Sequence, residues 1–246
     1  LPVGPGGPLL LGLPDVSTIA LCYHTYADQA ACVPGEAWKR VLVPFERRVL
    51  RRAERILCYS RDTVATLERC YGISPERIVL LPQLFDCSDW KPSDAVTKDP
   101  HLVVCVARLE RRKGVEILLR AWPRIRERFP EAHLILVGRG RHSKEIDAVI
   151  SFYCKGCQRI PRLSRASLRS LVQRASVAVC PSYLEGFGLS CAEAMAAGTA
   201  VIASDVPGLR SLVRHGESGL LVPAGNPDAL ADATTIDSLP ITEGAG

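Results

Sequence analysis

The sequence predicts an α/β protein whose second half carries a doubly wound parallel sheet. From His101 to about residue 235, short β-branched apolar runs alternate with longer amphipathic ones. That is the pattern of parallel strands joined by crossover helices. Residues 176–180 (SVAVC) lead through a loop punctuated by Gly186 and Gly188 into a helical stretch ending at Gly198, a strand–loop–helix unit with a left-handed cap. Three further apolar runs lie before residue 82, so a smaller α/β region precedes the main one.

Taken in order, 16–23 (VSTIALCY) reads as a strand ending at His24. Residues 36–55 read as a basic helix with Trp38, Leu42, Val49, Leu50 and Ala53 as apolar positions and Pro44 as a break or kink. Residues 55–59 (RILCY) form a strand, Ser60 caps a helix to about Cys70, and 77–81 (RIVLL) form a third strand. The polar, proline-bearing stretch that follows reads as a linker, with the domain boundary near residue 98. Strands are then expected at 102–107, 134–137, 176–180, 200–203 and 219–222. Helices are expected from Gly114 to about Phe129 across Pro123, and over 164–175, 190–197 and 208–214. A last helix starts at Asn226 with Pro227 behind its cap. Residues 143–160 have no readable period. The expected division is 1–98 as a partial N-terminal domain with linker, 99–235 as a ligand-binding domain and 236–246 as a tail.

The 246 residues are 47% hydrophobic and 23% charged, enough for a packed core of one large or two modest domains. No apolar run could span a bilayer. The opening LPVGPGGPLLLGLP lacks a charged signal-peptide start, and a chain opening at Leu1 is expected to be a fragment. The ten cysteines form no compact framework, so most are expected to be reduced core thiols, and the protein cytoplasmic. Cys154 and Cys157 make one C-x-x-C without a second pair, so neither zinc nor redox chemistry is expected of them. Of the net charge of +5, residues 39–55 hold seven basic and two acidic groups, 7 − 2 = +5. Three readings of that stretch compete: a solvated face over a core, a membrane-surface helix, and a nucleic-acid patch. Sparse aromatics and the lack of a nucleic-acid motif disfavour the third.

The loop after 176–180 sits at the carboxyl edge of its sheet, where open parallel sheets bind ligands. The helix behind it offers free N–H groups and a positive dipole end to an anion. Glu185 and Glu193 flank that helix start, seven residues between them. Each residue also has a plainer reading. Glu193 could merely favour the dipole, Arg111, Arg112 and Lys113 could be a solvated face, and His24 a hydrogen-bonded loop histidine. Gly138-Arg-Gly140 is a weak dinucleotide signal, because Ser143 stands where a third glycine belongs.

Four runs together resemble a family: 108–121 (RLERRKGVEILLRA), 134–140 (LILVGRG), 178–198 (AVCPSYLEGFGLSCAEAMAAG) and 204–225 (SDVPGLRSLVRHGESGLLVPAG). In order and spacing they are similar to the retaining GT-B fold glycosyltransferases of the group 1, or family 4, type, glycogen-synthase-like and mannosyltransferase-like. The likeness covers residues 99–235 well and 15–98 more loosely. It implies a Rossmann-like sheet in the C-terminal domain and an incomplete Rossmann-like N-terminal domain. It also implies a donor site for a nucleotide-sugar such as a UDP- or GDP-sugar, with no cofactor and no metal. Within it, Arg108 and Lys113 would neutralise the diphosphate. Gly186, Phe187, Gly188 and Leu189 would line the donor at the helix N-terminus, and Glu193 would accept from the ribose hydroxyls. Glu185 would face the transferred sugar, and His24 resembles the first-domain histidine of the cleft; these two are the catalytic candidates.

The chain departs from the family at Gln83-Leu84-Phe85-Asp86, where Asn-Gly often precedes the aspartate, and at Ser211, often a glutamate. The family's opening strand and glycine-rich loop would precede Leu1, and its closing C-terminal helix is missing or cut. The expected activity is transfer of a sugar, hexosyltransferase-like and with retention, to a glycan, lipid or small-molecule acceptor. Peripheral membrane contact through 39–55 is an added reading, and no nucleic-acid partner is expected. The alternatives are a truncated sugar-nucleotide-binding protein without turnover and, more remotely, a dinucleotide oxidoreductase.

Overall fold

The computed structural model describes residues 18–81, 84–92 and 96–234. The Pro/Gly-rich opening, Val16 and Ser17 of the first expected strand, Gln83 and the 236–246 tail lie outside the described residues. The described chain forms two compact units. One takes in the residues up to Leu84 together with Leu184–Phe187, the other Phe85–Tyr183 and the residues from Gly188 on.

The first unit has a three-stranded parallel sheet, β1 (Ile19–Cys22), β2 (Arg55–Cys58) and β3 (Ile78–Leu80), in that order. Cys22 pairs with Cys58 and Cys58 with Leu80. Helix α1 (Tyr26–Cys32) starts in a capping box between Thr25 and Asp28, which satisfies two orphan donors at once. The basic stretch is not one helix. Ala37–Leu42 is a 3-10 turn, and α2 runs Val43–Arg52 with Pro44 in its first turn, where no intrahelical N–H is lost. Of the expected apolar positions Leu50 and Ala53 are buried, whereas Trp38 is 59% exposed. Ser60 caps α3 (Arg61–Tyr71), and Gly72 ends it in the left-handed region.

The second unit is a six-stranded, all-parallel sheet. Its strands are β4 (Asp99–Val106), β5 (His133–Val137), β6 (Cys157–Ile160), β7 (Ala175–Cys180), β8 (Ala200–Ser204) and β9 (Leu220–Val222). Their spatial order is β6-β5-β4-β7-β8-β9. Counted within the sheet that is 3-2-1-4-5-6, the doubly wound order, and its reversal falls between β4 and β7. Alternation along β4 sends Val103 and Cys105 to one face and Leu102 and Val104 to the other. The first face packs on α4 (Val115–Arg128), α5 (Ser143–Tyr153) and α9 (Pro227–Ala233); the second packs on α6 (Arg165–Arg174) and α7 (Leu189–Ala196). Both faces are covered, as a parallel sheet requires.

Pro123 sits inside α4 and removes the bond its N–H would give Leu119; the Leu119 carbonyl instead accepts from the Cys154 thiol at 3.7 Å. Trp90, 2% exposed, packs in the core beneath α7, which is why the linker residues from Phe85 group with the second unit. α5 and β6 occupy the stretch that had no readable period. The short helix expected over 208–214 is α8 (Pro207–Arg210). All ten cysteines are free thiols. No helix among the described residues is long and apolar enough to cross a membrane.

Candidate active site

The reversal of strand order fixes where two loops must meet. The chain leaves β4 at Ala107 and turns through a 3-10 segment, Arg111–Lys113, into α4. It leaves β7 at Pro181 and reaches α7 through Gly188. The loops touch: the Tyr183 amide donates to the Arg112 carbonyl at 2.8 Å. At the crossing stands Gly114, φ +59°, where a Cβ would lie 2.0 Å from the Pro181 carbonyl oxygen. Only glycine supplies both that φ and that space.

The first loop organises its cations unequally. Glu110 takes Arg108 at 3.1 Å and Arg112 at 3.2 Å. Arg112 is buried, Arg111 exposed and Lys113 half-buried, so the three are not a solvated face. The Arg108 side chain is 67% exposed. Burial pushes the Cys105 thiol well up; the Cys180 thiol adds to this, and the Lys113 ammonium opposes it. Lys113 itself closes the 3-10 segment that leads from the carboxyl end of β4 into α4.

The second loop supplies a helix start. Gly188, φ +95°, precedes α7, and no side chain caps it. A Cβ there would lie 2.5 Å from Leu209. The Cys191 and Ala192 amides turn back to the Gly188 carbonyl, at 2.9 and 3.0 Å. The amides of Leu189 and Ser190 precede the first internal bond and face outward with the positive dipole end. Leu189 is 49% exposed. At the far end, Gly198 and Thr199 return to Met195 and Ala194, both at 3.0 Å, a Schellman closure.

Glu193 is half-buried on α7. Burial lifts its carboxyl to about 6, and the nearby Arg165 guanidinium pulls it down. Among the described residues, no donor hydrogen-bonds its carboxylate. Arg165, at the start of α6, is held by Asp89 at 2.8 Å. Neither Arg165 nor Glu110 was singled out from the sequence. Glu110 is visible only as a carboxylate between arginines, and Arg165 only as the first residue of a capped helix.

Of the expected site residues, Arg108, Lys113, Gly188, Leu189 and Glu193 fall in the second unit, on the two loops and the helix of the switch point. Glu185, Gly186, Phe187 and His24 fall in the first unit. Glu185 and His24 are each 8% exposed. A Cβ on Gly186 would lie 3.0 Å from the Tyr23 carbonyl oxygen and 3.2 Å from its Cβ, so that glycine answers to close packing. Tyr23 and Tyr59, the first residues after β1 and β2, stack with ring centroids 4.8 Å apart. Among the described residues no three His, Cys, Asp or Glu side chains are grouped to hold a metal ion.

The description "Glycosyl transferases group 1" matches residues 88–236, and "Glycosyl transferase 4-like domain" matches residues 5–83. A D-inositol 3-phosphate glycosyltransferase of Kribbella flavida is 32% identical over 208 residues, 76% of this chain and 49% of that protein. One from Xylanimonas cellulosilytica is 31% identical over 235 residues, 85% of this chain and 55% of that protein. The chain thus spans about half the length of these curated relatives. Sucrose-phosphate synthase of Thermosynechococcus elongatus superposes with a TM-score of 0.76 at 28% identity, over 87% of this chain and 57% of that one. The α/β fold with parallel sheets is that of the GT-B glycosyltransferases. With the first description spanning more than half of its 246 residues, over the whole six-stranded sheet and both switch-point loops, the chain belongs to the glycosyl transferases group 1 family.

Proposed function

We propose that this chain carries the donor site of a retaining glycosyltransferase that takes a sugar, a hexose in the first instance, from a UDP- or GDP-sugar. The observation that carries the reading is that the loop bearing Lys113 touches the loop leading to the uncapped start of α7, the helix on which the half-buried Glu193 stands. A departing nucleoside diphosphate gains negative charge as the glycosidic bond breaks. Stabilising that charge needs cations and N–H donors fixed in advance. In this reading Lys113 and the more exposed Arg108 face the diphosphate, with the amides of Phe187, Gly188 and Leu189 beside them. Glu193 accepts from the two ribose hydroxyls, a role for which its carboxylate has lone pairs to spare. Gly186 keeps the loop close-packed. Glu185 faces the transferred sugar and His24 the acceptor side. Retention is read as front-face substitution, in which the leaving phosphate helps to deprotonate the acceptor hydroxyl. No step is assigned to a metal or other cofactor.

Proton NMR of the product anomer tests the reading. UDP-glucose or GDP-mannose turned over to an α-linked product supports it, and a β-linked product rejects retention. Tight donor binding with no turnover, in a chain long enough to match its relatives, favours the non-catalytic sugar-nucleotide-binding reading.

A further inference from the structure

The basic segment 37–52 has an exposed face that the donor site does not use. Trp38 is 59% exposed, Val41 65% and Phe45 48%. Trp38 and Val41 stand one turn apart on the 3-10 segment, and Phe45 follows one α-helical turn later, so the three lie in one stripe. Arg40, Arg48 and Arg52 are exposed on the same segment. Among the described residues none of these three pairs with a carboxylate.

Glu36 and Glu46, the two acids that flank the apolar stripe in sequence, are engaged elsewhere. Glu36 is taken by Lys39 at 2.6 Å. Glu46 points inward, 5% exposed, where it accepts from the Tyr26 amide at 2.8 Å and from the Tyr71 hydroxyl. Leu50 and Ala53 are buried on that inner side. Arg47 and Arg51 donate to the Cys70 and Tyr71 carbonyls, at 2.5 and 3.1 Å, which fastens α2 to the end of α3 and keeps both charges. The outer face therefore carries an apolar stripe and unneutralised arginines, on a helix anchored from below.

We propose that this face docks on an anionic bilayer surface, with Trp38, Val41 and Phe45 entering the headgroup–acyl boundary and Arg40, Arg48 and Arg52 meeting lipid phosphates. Apolar side chains scattered singly on a surface need no explanation, but a contiguous stripe beside cations does. A lipid surface satisfies both halves, since hydrocarbon takes the stripe and anionic headgroups take the arginines. A nucleic acid would meet the arginines and leave Val41 and Phe45 in water.

The full 246-residue chain tests this with its own fluorescence. Trp90 and Trp122 are 2% and 0% exposed, so Trp38 is the only exposed tryptophan of the three. Vesicles of phosphatidylglycerol in phosphatidylcholine are expected to shift its emission to shorter wavelength and shield it from iodide. Pure phosphatidylcholine is expected to do neither. Each arginine removed should weaken binding about five-fold, so Arg48→Glu with Arg52→Glu should weaken co-sedimentation by at least about 25-fold. Trp38→Ser with Phe45→Ser should weaken it as well, and an unchanged unfolding midpoint in either pair keeps the comparison fair. For the unsubstituted chain, about 1 M salt, which shortens the Debye length to about 3 Å, should reverse binding. No response to anionic vesicles, undiminished binding by the charge-reversed pair, or the same Trp38 response to a DNA duplex at equal concentration would overturn the proposal.

Discussion

In the loop after β4, Arg112 is turned inward onto Glu110, Lys113 closes the 3-10 segment, and Arg108 is held by the same glutamate. Along α2 the arrangement is inverted: Glu46 is the buried group, and Arg48 and Arg52 stand outside next to Phe45. Both stretches are runs of arginine and lysine in the sequence. The carboxylate decides what each becomes. Placed between two arginines, Glu110 pairs with both Arg108 and Arg112, a fixed arrangement of the kind electrostatic preorganisation requires. Withdrawn beneath the helix, Glu46 leaves a diffuse positive face suited to a surface rather than to one ligand. Density of charge alone does not separate an anion pocket from a docking face; the anchoring of its neighbours does.

The largest expected effect breaks the ordered side of this comparison. Gly114→Ala puts a Cβ 2.0 Å from the Pro181 carbonyl at a φ of +59°. It should cost about 3 kcal/mol of stability in denaturant unfolding and abolish nucleoside-diphosphate binding. Retained binding with native stability would show that the loops need not cross there. Next, Lys113→Ala should weaken UDP or GDP binding about 10- to 100-fold, the usual range for a hydrogen bond to a charged group. Arg108→Ala should weaken it less than about five-fold, because that side chain is 67% exposed and shared with Glu110. Equal losses from the two would place them alike on the diphosphate. The smallest effect belongs to the other segment: Arg48→Glu with Arg52→Glu should leave nucleotide affinity unchanged within about two-fold, since solvent screens charges on an outer face.

The second sheet is legible in the sequence where its strands are buried and read as continuous apolar runs, in β4, β5, β7 and β8. It lost α5 and β6 for the converse reason. Val149, Phe152 and Tyr153 lie exposed on α5, at 37%, 80% and 77%, which blurs the helical period. β6 is an edge strand of sequence CQRI with no buried residue, and such a strand has little pattern to show. The basic segment reads as a helix over 36–55 with Pro44 as its break or kink. Pro44 instead starts α2 and leaves a 3-10 turn before it, which carries Trp38 outward although it was counted among the apolar positions of the helix. The glycines at 114, 188 and 198 were found as punctuation, but the carbonyl that makes Gly114 irreplaceable lies across the fold and has no local signal. Burial of Arg112 is hidden likewise: its carbonyl meets the Tyr183 amide of the loop after β7, about seventy residues on in the chain.

Glu193 is the residue on which donor binding turns most directly, and calorimetry of UDP and GDP binding between pH 5 and 8, in the unsubstituted chain and in Glu193→Gln, tests its role. Burial raises the Glu193 carboxyl from its ordinary range to about 6, so the accepting carboxylate is present above that pH and lost as pH falls through it. Titration of the ligand's own phosphate is common to both proteins and leaves their affinity ratio. That ratio should be about ten or more at pH 8 and shrink toward one below pH 6. Equal affinities at pH 8, or a ratio that does not change with pH, would contradict a ribose-binding role for Glu193.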